Sequence, residues 1–171
     1  MQYEAIISAL AVEHLSHMPL PIDPGKIAEL LGILLRVGPL EVPYVRANFD
    51  QAVVDVHRDL EAAKQRYVAV YGIGCVVLGL EAAVEKPLFS LHNEQSPAYY
   101  ANLFACEILM PRATFTAQWN RGASPDAREL AQRFAVPERL LVQWAARLKL
   151  LSRDWTQAAP NWSVTTQGFG S

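Results

Sequence analysis

Residues 67–80 read Tyr-Val-Ala-Val-Tyr-Gly-Ile-Gly-Cys-Val-Val-Leu-Gly-Leu, fourteen positions without a charged side chain. The run is short of the roughly 20 residues a membrane-crossing helix needs, so it reads as a buried element against which the rest of the chain packs. Its type stays open from the residues alone. Val68, Val70, Ile73, Val76 and Val77 are β-branched and Gly72, Gly74 and Gly79 are poor helix formers, so local propensity leans toward strand. As a helix it would be buried on most faces, and packing would have to offset about 0.8–1 kcal/mol per interior glycine. Gly72 and Gly74 would then let a neighbouring element come close. Gly72-Ile73-Gly74 also hints at a dinucleotide-binding turn, but Val77 stands where the third small residue is needed.

The rest of the chain supports a compact body. With 171 residues, 51% of them hydrophobic, a sizeable core can form, and residues 1–153 are expected to make one domain. Two distant cysteines give neither a disulfide framework nor a zinc-ribbon spacing, which favours a reducing cytoplasm. The first residues lack the basic-then-apolar pattern of a secretory signal, and no membrane partner is expected. Residues 154–171, rich in Gln, Thr, Ser, Gly and Asn, read as a loosely held tail that Trp155 and Trp162 pin back in part.

Punctuation sets the layout. An amphipathic helix over 3–17 stops at Pro19 and Pro21. A second starts with Asp23 as cap and Pro24 in its first turn, and ends near Gly32. Short strands are expected over 33–37 and 52–56, joined through Gly38-Pro39 and a stretch containing Pro43. Helices are then placed over 61–80, 97–109 and 111–119, from Ser124-Pro125-Asp126 to about Phe134, and from Pro137 to about Leu150.

Two segments carry a resemblance: Arg66 through Gly79, and Tyr99-Tyr100-Ala101-Asn102-Leu103-Phe104-Ala105-Cys106-Glu107-Ile108-Leu109-Met110-Pro111. Together they resemble the ImmA/IrrE family of zinc metallopeptidases, whose second helix reads Glu-Ala-Asn-x-Phe-Ala-x-x-Leu-Leu-Met-Pro. Arg66, Gly74, Gly79, Ala101, Asn102, Phe104, Ala105, Leu109, Met110 and Pro111 fall on matching positions. Residues 21–33 are similar to the family's opening, and Leu130-Ala131, Val136 and Arg147-Leu148 to its closing helices. The resemblance implies an α+β fold: a mainly helical zincin-like peptidase domain with a small β-sheet and a C-terminal helix pair.

The chemistry on that frame is replaced. A zinc peptidase needs two histidines four residues apart on one helix face, a glutamate beside the first as general base, and a third ligand from another element. Tyr71 and Cys75 occupy the histidine positions, Gly72 the base position and Tyr100 the third-ligand position. Glycine cannot move a proton, and a neutral tyrosine is a poor zinc ligand at pH 7. The resemblance therefore implies an inactive relative with no catalytic residues, no zinc and no other cofactor. Such a pseudopeptidase would act as a protein-interaction or regulatory module. Active relatives typically cut helix-turn-helix repressors in stress responses or mobile elements, so the implied partner is such a repressor, bound without being cut. Tyr71, Tyr99, Tyr100 and His92 are the candidate partner contacts, with simple filling of the metal's space as the alternative for Tyr71 and Tyr100.

Two other functions compete. Residues 1–111 carry seven Lys/Arg against thirteen Asp/Glu, net −6, whereas 112–153 carry eight against three, net +5; Asp154 completes the total of −2. The basic part holds two helices joined at Ala135-Val136-Pro137, with spacings similar to a helix-turn-helix. Arg128, Arg133, Arg139 and Arg147 are the candidate phosphate contacts of a DNA-binding regulator. Alternatively Cys75, His92 and Glu94 could rebuild a zinc site. His14 and His17 read as exposed histidines on an amphipathic helix, although both could share one face, and Cys106 as a small apolar core residue.

Overall fold

A computed structural model describes residues 2–15, 18–122 and 125–151, the side chains of 12 and 14 excepted. The possible pairing of His14 with His17 and the tail over 154–171 with its two tryptophans lie outside the described residues.

Helix α1, Gln2–Leu15, buries Ile7, Ala11 and Leu15 at a spacing of four. Helix α2, Pro24–Leu30, is capped by Asp23, whose carboxylate accepts from the Gly25 amide at 2.8 Å, and Gly32 ends the segment at φ +68°. Three strands follow: β1 Leu34–Gly38, β2 Val45–Asn48 and β3 Val53–His57. The sheet order is β1-β3-β2, with β1 parallel and β2 antiparallel to β3. Expectation placed β1 and β3 within one residue and missed β2. Four residues with only Val45 buried carry too short an alternation to read, and Pro43 resembles the end of a strand.

The apolar run folds as helix α3, Ala62–Leu78, closed by Gly79 at φ +66°. Tertiary packing overrides its strand propensity, because α3 is sandwiched between the sheet and the next long helix. After the five-residue helix α4, Glu81–Glu85, which sequence reading also missed, comes α5, Pro97–Leu109, capped by Ser96. Helix α6, Arg112–Trp119, is followed by α7, Ala127–Phe134, whose Asp126 cap accepts from the amides of Arg128 and Glu129, and by α8, Glu138–Arg147. Helix α8 stops short of the expected Leu150. Lys149 takes a left-handed φ of 58°, and the Leu150 amide turns back to the Ala145 carbonyl at 2.9 Å.

One hydrophobic cluster runs from Ile7 on α1 to Ala145 on α8. Trp144, fully buried, donates its indole N–H to the Met110 carbonyl at 3.0 Å and ties α8 to the end of α5. Arg66 clamps two connections onto α3, donating to the carbonyls of Ile22 and Ala135. This α+β arrangement, helices around a small mixed sheet, is zincin-like. No described helix is long and apolar enough to cross a membrane.

Candidate functional site

The α3–α5 contact is set by Gly74, where an added Cβ would lie 2.8 Å from the Phe104 ring. Two turns of helix around it carry the positions of interest. Tyr71 is fully buried; its hydroxyl donates to the Ala83 carbonyl of α4 at 2.8 Å and its ring meets the edge of Phe89 at 4.9 Å. Burial pushes that hydroxyl far above the usual tyrosine range. Next to it, an added Cβ on Gly72 would lie 2.7 Å from Val54 and 2.8 Å from Val45, so the missing side chain is what lets α3 lie on the sheet. Cys75 is fully buried, and burial raises its thiol well above the ordinary value. Tyr100, half-buried, packs its ring on Tyr3 at 4.9 Å and Tyr99 at 5.2 Å.

A polar knot holds α5 in place. Asn102, fully buried, donates its side-chain amide toward the carbonyls of Leu88, Ser90 and Ala98, and its Oδ1 accepts from the Tyr67 hydroxyl at 3.2 Å. Tyr67 also lies 3.3 Å from Cys106 Sγ. Asn102 was legible as a matching position, but its role as the anchor of the 88–90 loop depends on which carbonyls the fold brings to it.

The candidate contacts divide by exposure. Tyr71 and Tyr99 are buried, so neither offers a ring to a partner; the expectation that they line a recognition surface is corrected, because their rings fill the interior instead. Tyr100 is half-buried and His92 exposed. Cys75 is enclosed by α3 packing while His92 and Glu94 are exposed, and among the described residues no three His, Cys, Asp or Glu side chains converge on a common point. The rebuilt zinc site is therefore not assembled.

Helices α7 and α8 do pack together as the expected pair, yet arginines among the four candidates are engaged within the chain. Arg133 binds Glu129 and Gln118; Arg147 binds Glu4 at 2.8 Å, approaches Glu94 at 3.6 Å and stacks 5.7 Å over Tyr99. Arg128 is exposed and Arg139 half-buried. Sequence reading did not find the groove of about 770 Å³ between α1 and α6, where the buried Glu107 holds Arg112 at 2.6 Å. Nothing in the linear spacing places Ser8 and Ala11 opposite Thr116.

The family profile described as IrrE N-terminal-like domain, Peptidase M78, matches residues 28–144. The chain belongs to this family. A solved structure of a Mycobacterium tuberculosis transcriptional regulator is similar in fold, at TM-score 0.60 and 18% identity, covering 89% of this chain and 48% of that one. The chain thus spans about half the length of that regulator. No curated protein matches it.

Against the family frame, the residues present do not fit a zinc ion. The Tyr71 hydroxyl is committed to Ala83, the space of the base position belongs to two valines, and the buried Cys75 belongs to no cluster of three His, Cys, Asp or Glu side chains among the described residues. Cys106, also buried, has its thiol pushed up to about 12. Since the thiolate is the reactive form, both cysteines are expected to resist a disulfide reagent in the native protein and to titrate as two equivalents in denaturant. A native thiol reacting at the rate of a free peptide cysteine would contradict this packing.

Proposed function

We propose that this IrrE-like domain is a non-cleaving member of its family that regulates by binding a protein, with a helix-turn-helix repressor as the first candidate partner. The observation that carries the reading is Tyr71: at the position of the first metal-binding histidine stands a buried ring whose hydroxyl is bonded to Ala83 at 2.8 Å. The glycine at the base position supports it, because no proton-transfer group can occupy that point while Val54 and Val45 fill it. The regulator that shares the fold agrees with a role in transcription. Residues 1–153 are taken as the acting unit.

The test pairs metal content with cleavage. Protein purified without chelator is expected to hold far less than one equivalent of zinc and to leave helix-turn-helix repressors of its source cell intact, while forming a stable complex with one of them. Stoichiometric zinc together with chelator-sensitive cleavage would overturn the proposal. Binding that disappears on nuclease treatment would move the function to the arginines of α7 and α8.

A further inference from the structure

Strand β1 is an open edge. Among the described residues it pairs with β3 alone. The Leu34 amide donates to Ala52 at 2.9 Å and the Gly38 carbonyl accepts from Arg58 at 2.9 Å, so alternate residues direct their backbone at β3. Leu35 and Val37 therefore turn both N–H and C=O outward, four groups available to an added strand.

The surface around this edge is apolar. Of the five exposed large hydrophobic residues among those described, Leu30, Leu34, Val37 and Val42 fall within residues 30–42, with Leu34 at 55% and Val37 at 54% exposure. The opposite edge differs: α4 packs against β2, which carries no exposed large hydrophobic residue. Unpaired backbone beside exposed apolar side chains is the surface on which an extended segment adds to a sheet.

Charge selects the occupant. Leu35 and Val37 share the α3 face with Val54 and Val56, as the register and the Gly72 contact require, so Leu34 and Arg36 stand on the other, open face. There Arg36 and Arg46 both bind one carboxylate, Asp55, at 2.6 and 3.1 Å, leaving one excess positive charge. A second copy pairing antiparallel through the same four groups would set Arg36 against its own equivalent, which is unfavourable. We infer that the β1 edge receives an extended segment of a protein partner whose Asp or Glu lies opposite Arg36, with an apolar residue on each side of it.

This inference rests on the partner-binding reading and locates its contact. A displayed library of random dodecapeptides selected on the full chain tests it. Selected peptides are expected to share an acidic residue flanked by apolar ones and, in amide exchange, to protect Leu35 and Val37 of the unmodified protein. Val37→Pro removes one outward donor not bonded within the chain, and the best peptide should then bind about tenfold more weakly. Replacing the peptide's acidic residue by lysine should weaken it similarly, and Arg36→Glu should reverse that preference. Peptides that protect other amides would overturn this site while leaving partner binding intact. Failure to select any peptide would also overturn it, and would reach the wider reading only if zinc-dependent cleavage appeared as well. Protection of Leu35 and Val37 that rises with protein concentration alone would assign the edge to a second copy and overturn the inference.

Discussion

Asn102→Asp is expected to lower the unfolding free energy at pH 7 by at least about 3 kcal/mol, although the two side chains are nearly isosteric. The Asn102 amide points its hydrogens at three carbonyls, those of Leu88, Ser90 at 3.0 Å and Ala98 at 2.7 Å, inside a site with no solvent exposure. A carboxylate has no donor to give them and brings a buried charge against three oxygens. Only its protonated form restores one bond. The introduced group therefore titrates higher in the folded chain than in the unfolded one. Its deficit is smallest below the unfolded value of about 3.9 and grows as pH rises through the folded value. Urea unfolding at pH 7 and near pH 4 measures both effects. A variant within about 1 kcal/mol of the parent at pH 7 would show that the 88–90 loop does not depend on this amide.

Restoring the family's general base should fail for a steric reason. Gly72→Glu would place its Cβ 2.7 Å from Val54 and 2.8 Å from Val45, and would bury a carboxylate between a helix and a sheet. Overpacking of this kind costs about 1–3 kcal/mol, and the uncompensated charge adds to it, against a gain of only about 1 kcal/mol in helix propensity. The expected result is a protein at least about 3 kcal/mol less stable, and Tyr71→His with Cys75→His added should not make it a zinc peptidase. Thermal unfolding and a metal titration check this. If the triple variant keeps the parent's melting temperature and binds one zinc tightly, then α3 has room that Val54 and Val45 deny it here. A glutamate at position 72 would hold α3 off the sheet, whereas glycine lets it settle there.

Particular residues explain what could be read in advance. Caps and prolines act within a few positions along the chain, so Asp23, Pro97 and Asp126 located the starts of α2, α5 and α7. The matching positions 101–109 became a buried helix, with Met110 as its cap, as the resemblance implied. The strand-like composition of 67–80 misled, since β-branched residues are tolerated in a helix whose every face is packed. Strand β2 and helix α4 were too short to show a period.

The site divides the same way. Which side chains occupy positions 71, 72, 75 and 100 is a property of the sequence, and their chemistry alone argued against zinc. Where those side chains point was decided only by the tertiary structure. Tyr71 turned inward because Ala83 and Phe89 supply it with an acceptor and a ring, and Arg147 was taken from the basic face by Glu4, 143 residues away in the chain. Local signals specify an element's beginning and end because capping and backbone sterics are short-ranged; the direction of a buried side chain depends on partners that only folding brings within reach.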